Sequence, residues 1–311
     1  MDKVAIMSLP STSGDRYLLS AGPYAAEVVQ CGATLRTLTY DERPLILPFK
    51  LEEVRPDMRG AVMLPWPGRI EDGRYGFDGV DHQLPLTEPR TSNAIHGLVG
   101  WAPFTVVEQD DSSVALRYLM LPQAGYEFAL QVDIVYLLDA MRGLTVTIGA
   151  TNVGDIAAPY GAANHVYFVA GEGKVDDWTL EFDAATYLAS PGPRSLPTGP
   201  YPVAGSDLDF RSARVIGPTR LNHSYRDGAR DADGWGTATV LAADGLGVRV
   251  RWDAAAPWIH PFSYDLPGTA GRTGLALEPM TCPPNSFNSG TDLVTLEPGD
   301  THVFTMAIDA V

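Results

Sequence analysis

The 311-residue sequence predicts an all-β chain, a large antiparallel β-sandwich with very little helix, and three observations predict it. Apolar and polar residues alternate with period two along many short segments, as in Leu144-Thr145-Val146-Thr147-Ile148. The 31 glycines and 25 prolines punctuate the chain too often for long helices. No stretch sustains a 3.6-residue apolar period closed by clean caps.

Taken in chain order, residues 24–29 and 33–40 read as strands around the tight connection Gln30-Cys31-Gly32. Segments 114–121, 128–138 and 144–151 follow as a series, broken by Gln123-Ala124-Gly125 and by residues 140–143. Asn152-Val153-Gly154-Asp155 marks a turn directly after its strand. Segments 166–169, 179–182, 238–241, 248–252 and 303–308 carry the same alternation. Residues 190–205 are dense in Pro and Gly and are expected to form a loop excursion. Strand signals continue on both sides without a change in composition, so an insertion within one domain spanning residues 1–311 is the economical reading.

Composition excludes several classes. The net charge of −16 and the absence of Lys/Arg clusters leave no footprint for nucleic acid or anionic lipid. No window approaches about 18 uninterrupted apolar residues, so no membrane span is expected. Residues 1–13 lack a basic stretch followed by an apolar one, which points to a cytoplasmic protein. Cys31 and Cys282 form no metal-ligand spacing and are expected to be reduced and buried. No metal or cofactor motif is present, and the sequence leaves monomer and homodimer both open.

Four segments carry side chains suited to chemistry. In Pro65-Trp66-Pro67-Gly68-Arg69-Ile70 two prolines impose an extended chain that presents a Trp and an Arg. Alone, this fits core plus surface charge, or an aromatic face and guanidinium fork for a sugar. In Asn93-Ala94-Ile95-His96-Gly97-Leu98-Val99-Gly100-Trp101 a His is followed by a Gly that lets the backbone pass close to a neighbour. Ala163-Asn164-His165-Val166-Tyr167-Phe168 sets a His on an aromatic strand. In Leu275-Ala276-Leu277-Glu278-Pro279-Met280 a Glu ends an apolar strand that Pro279 is expected to stop; partial desolvation there would raise its pKa. Each segment alone fits a structural role about as well as a functional one.

In this order and spacing the segments resemble the aldose 1-epimerase (galactose mutarotase) family, over about Gly32 to about Gly299. The stretches Gly68-Arg69-Ile70, Asn93-Ala94-Ile95-His96-Gly97, Asn164-His165-Val166-Tyr167-Phe168 and Leu277-Glu278-Pro279 carry it, with Pro197-Thr198-Gly199 and Asp209-Phe210-Arg211 in support. Details at Trp66, His96-Gly97-Leu98-Val99 and Met280-Thr281-Cys282-Pro283-Pro284 are most similar to the bacterial subgroup that includes sulfoquinovose mutarotases. The resemblance implies a galactose-mutarotase-like sandwich with a monosaccharide cleft. It implies that His165 is the general acid, Glu278 the general base and His96 a third catalytic-site group. Arg69, Trp66, Asn222 and His223 are the expected substrate-binding residues.

One departure stands out: Leu221-Asn222-His223 occupies the place of the family's usual Asp-His pair, so a neutral amide replaces a carboxylate. An anionic C6 substituent on the sugar would need a cation near the cleft, for which Arg69, Arg74 and Arg90 are the candidates in sequence. On their own, His82, His223, His260 and His302 are read as structural, and of these His223 has the best claim to the cleft because it adjoins Asn222. Trp258 and Phe262 fit either a sugar site or the core. A non-catalytic sugar-binding sandwich would not need the acid–base pair, and a glycoside hydrolase would normally need two carboxylates.

Overall fold

A computed structural model of the chain describes residues 11–265 and 271–311. The period-two segments form two large antiparallel sheets. The first has nine strands in the order Thr105–Gln109, Ser113–Met120, Leu130–Asp139, Gly143–Asn152, Thr301–Ala310, Gly247–Trp252, Gly236–Leu241, Thr179–Phe182 and Arg214–Val215. The second runs Thr198–Pro202, Thr186–Ala189, Ser224–Arg226, Trp258–Phe262, Leu275–Met280, Ala163–His165 and Ala61–Met63, with Tyr167–Phe168 also paired to Leu275–Met280. A four-stranded sheet formed by Arg16–Ala21, Tyr24–Val29, Thr34–Tyr40 and Arg43–Pro44 adjoins them. Helix among the described residues amounts to Ser286–Ser289 and two single 3₁₀ turns.

The alternation read from sequence is the burial pattern. Along Leu130–Asp139, Val132, Ile134, Tyr136 and Leu138 are buried while the residues between them reach solvent. Each buried apolar side chain of this kind contributes roughly 1.5–3 kcal/mol. In contrast, Leu275–Met280 is buried at every position, because residues pack on both of its faces.

Two expectations are corrected by the register. Glu278 does not end its strand, and Pro279 does not stop it: Pro279 pairs with Ile259, and the strand continues to Met280. The N–H groups of Leu277 and Thr281, two residues either side of Pro279, point to Val166 and Ala162. The missing proline N–H therefore falls on that side, where the neighbouring strand is interrupted between His165 and Tyr167. The 190–205 excursion is not all loop, since Thr198–Pro202 adds an edge strand to Thr186–Ala189. Of the two cysteines, both are free, but only Cys282 is buried; Cys31 is partly accessible.

The ribbon Arg69–Glu71 with Asn93–Ile95 runs into a tight approach at its end. Gly97, at φ +72, lies against Leu64, whose carbonyl oxygen would stand 2.1 Å from an added Cβ. His96, at φ +61, is set by the same turn, and its N–H donates to the Gly68 carbonyl at 2.8 Å. Gly97→Ala is therefore expected to lower the melting temperature by roughly 3–8 °C through backbone strain and a forced shift of Leu64. Differential scanning calorimetry checks this, and an unchanged transition would show that the turn relaxes freely.

Candidate active site

The row that matters is written in the register. Trp258–Phe262 pairs with Leu275–Met280 so that His260 stands opposite Glu278. The pairs Ala163↔Met280 and Tyr167↔Ala276 extend the same alignment on the other side and bring His165 opposite Glu278. Three titratable side chains thus lie side by side on three adjacent strands. His165 Nε2 is 3.4 Å from Glu278 Oε1, with the two side chains 6% and 5% exposed.

These residues line a cavity of about 370 Å³, within the range of small-molecule sites. His96 completes the group: its ring meets His165 edge-on, with centroids 5.0 Å apart. Behind His165, Tyr167 stacks on the imidazole at 4.9 Å and fixes its plane. Arg69 lies on the wall, its guanidinium held by Glu88 through two bonds of 2.8 Å. Asn222 and His223 line the opposite end with His260, Phe262 and Arg220. Over this space runs the 190–195 segment, from which Ser190, Gly192 and Ser195 face the cavity.

That segment is tied down by Arg194. Its guanidinium donates to the Thr91 and Ser92 carbonyls, to Glu71 and Asp72, and to Asn93 Oδ1, and the Asn93 amide returns a bond to the Arg194 carbonyl. The edge of the large sheet is thereby strapped to the ribbon that carries Arg69 and His96.

Several residues fall elsewhere than the sequence suggested. Trp66 does not face the cavity; it is buried in the main core with its ring edge-on to Phe287 at 5.8 Å. The two prolines around it turn the indole inward. His260, read as structural, is on the cavity wall. It shares strand parity with Phe262, which also lines the cavity, and that spacing was the available signal. Trp258 packs with Met63, Ala163 and Met280. Arg74 bonds Gln83 away from the site, and Arg90 lines a separate shallow depression. Besides Arg69, the cation that reaches the cavity is Arg220, which makes no hydrogen bond or ion pair among the described residues. No short-range pattern marked it.

Burial sets the electrostatics. It pushes the Glu278 carboxyl up to about 8, with Arg69 pulling weakly the other way. Burial pushes the imidazoles of His165 and His260 down to about 3, and that of His96 well below its ordinary value. Between about 3 and about 8 the His165–Glu278 pair therefore holds one proton. No group of three or more His, Cys, Asp or Glu suited to a metal occurs among the described residues.

Fold and site define a class: a β-sandwich with a small-molecule cavity floored by a buried carboxyl–imidazole pair. Comparison with known proteins gives the family. The aldose 1-epimerase family profile matches residues 15–309. The Escherichia coli K12 protein YihR is 37% identical over 290 residues, covering 93% of this chain and 91% of that one. The rat galactose mutarotase is 28% identical over 67% of this chain and 64% of its own length. Among solved structures, a Caenorhabditis elegans aldose epimerase homologue superposes with a TM-score of 0.84 at 19% identity, over 96% of this chain and 98% of that one. A Lactobacillus acidophilus galactose 1-epimerase gives 0.78 at 22%, over 94% and 92%. These structural likenesses bear on the fold. The chain belongs to the aldose 1-epimerase family and is an isomerase of carbohydrate metabolism.

The buried carboxyl has a consequence for stability. Its folded pKa of about 8 lies above the ordinary 4.5, so its contribution is fully present below 4.5 and is lost as pH rises through 8. His165 has the opposite sign: its contribution is present above 6.5 and lost as pH falls through about 3. Glu278→Gln removes only the alkaline loss. It should melt roughly 2–6 °C above wild type at pH 8.5 and near wild type at pH 4. Thermal shift at the two pH values checks this, and equal offsets at both would contradict the assigned burial effect.

Proposed function

We propose that the chain interconverts the α and β anomers of a hexose, with Glu278 as base and His165 as acid. The observation that carries this reading is the buried His165–Glu278 pair, 3.4 Å apart, on the cavity floor. Ring opening needs one proton removed from the C1 hydroxyl and one delivered to the ring oxygen. Glu278 takes the first while the C1–O5 bond breaks, and His165 gives the second. The carbonyl carbon then turns about the C1–C2 bond. On closure O5 attacks the other face of C1, its proton returns to His165, and Glu278 hands a proton to O1.

The proton count suits this cycle. A pair holding one proton occupies two arrangements, carboxylate with imidazolium or carboxylic acid with imidazole, and the reaction passes between them. A C1 hydroxyl donating to the carboxylate and a ring oxygen accepting from the imidazolium favour the first when the closed sugar is bound. His96, edge-on to His165, faces the same space and is assigned to the ring oxygen or its neighbouring hydroxyl. Arg69, Asn222 and His223 are assigned to sugar hydroxyls.

Glu278→Gln and His165→Asn should each lower the anomerisation rate about 10²–10⁴-fold with the fold retained. Polarimetry on freshly dissolved α-hexose measures it, and near-normal rates in either variant would overturn the assignment. For wild type, kcat/KM should fall below about pH 3, where the pair gains a second proton. It should fall again above about pH 8, where the pair loses its only one. A rate still rising at pH 9 would exclude this pair.

Unpaired Arg220 on the cavity wall favours a finer reading, a hexose with an anionic C6 substituent such as sulfoquinovose. Anomerisation rates on glucose, galactose and sulfoquinovose test it. Arg220→Gln should raise KM for the anionic sugar about tenfold or more and leave that for glucose within about twofold. Equal effects on charged and neutral sugars would remove the anion assignment while leaving the acid–base pair intact.

A further inference from the structure

Beside Glu278 four polar side chains form one line. Ser224 Oγ is 2.8 Å from His260 Nδ1, His260 Nε2 is 3.1 Å from Asn222 Oδ1, and Asn222 Nδ2 is 3.5 Å from Ser195 Oγ. The line starts in the sheet interior, where Ser224 is buried and lines no part of the cavity, and ends on the strap held by Arg194. Asn222 and His260 both face the cavity.

Burial keeps His260 neutral, so its ring has one donor nitrogen and one acceptor nitrogen. The two ends of the line are then coupled. With Asn222 Oδ1 toward the ring, Nε2 carries the proton and Nδ1 accepts from the Ser224 hydroxyl. Were the ring to carry its proton on Nδ1, Asn222 would have to turn its NH₂ inward and show its oxygen to the cavity instead.

We propose, on the mutarotase reading, that His260 is a positioning residue. Held through Nδ1 by Ser224, it bonds Asn222 Oδ1 through Nε2 and so pins the amide with its NH₂ end toward the cavity, where Asn222 meets the sugar as a hydrogen-bond donor. A carboxylate at 222 could only accept. The wall of this site is thus set to meet a sugar oxygen with a donor, and the far end of the line rests on a serine outside the cavity.

Two measurements test this. Long-range ¹H–¹⁵N spectra of the wild-type protein should show His260 protonated on Nε2, and Ser224→Ala should mix the tautomers. In anomerisation kinetics, with sugar affinity also measured by titration calorimetry, Ser224→Ala, His260→Leu and Asn222→Ala should each weaken binding about fivefold to tenfold with kcat within about twofold. His260→Gln should recover most of the affinity, because its amide nitrogen stands near the position of Nε2. The double variant of His260→Leu and Asn222→Ala should be no weaker than either single one. A wild-type ring protonated on Nδ1, unchanged affinity in Ser224→Ala, or effects that multiply in the double variant would overturn the proposal. If wild type turns over no hexose, the mutarotase reading fails by itself, while the tautomer spectrum and sugar titration still decide the role of His260.

Discussion

A carboxyl and an imidazole facing each other across two adjacent strands, both out of water, form the contact on which the other features of the site depend. In solvent near pH 7 a glutamate is a weak base and a histidine is about a quarter charged. Here desolvation drives the two in opposite directions and leaves one proton between them. That condition requires the strand Leu275–Met280 to be covered on both faces, which is why it reads as a continuous apolar run with a single acid inside it. At the break between His165 and Tyr167 the Leu277 N–H still reaches the Val166 carbonyl, and Pro279 simply lacks the donor that would face the next residue pair along.

On the proposed function the sugar must reach this pair in one orientation, and that would fall to parts outside the large sheets. The Arg69–Glu71 ribbon is fixed at one end by the close approach of Gly97 to Leu64 and at the other by Arg194. Arg69 is committed to Glu88, so its guanidinium plane is set before any ligand arrives. The cost is that fewer of its N–H groups remain for substrate. Arg220, with no such partner among the described residues, keeps its donor set and its charge available.

The fold was largely legible because alternation of apolar residues is a local signal, and strands such as Gly143–Asn152 bury every second side chain. His165 and Glu278 were legible as family positions, though nothing local distinguished them from a core histidine and an edge glutamate. What stayed hidden depends on pairing between distant segments. Glu278 as an interior strand residue follows from its register with Trp258–Phe262, which no window of sequence contains. Trp66 was misplaced because an aromatic between prolines predicts rigidity but not which way the ring turns. Arg220 and Arg194 owe their roles to loops whose positions are set by partners more than a hundred residues away in the case of Arg194.

Asn222 lies where the buried row meets the cavity wall. An aspartate at 222 would place a second negative charge one side chain removed from Glu278, with His260 between them. That charge would raise the Glu278 carboxyl further. It would also oppose any anionic group drawn in by Arg220. A neutral amide avoids both effects but has two chemically distinct ends, so it needs something to choose between them. His260 supplies that choice only while it stays uncharged, and it stays uncharged because the same burial that tunes the acid–base pair extends one strand further along the row.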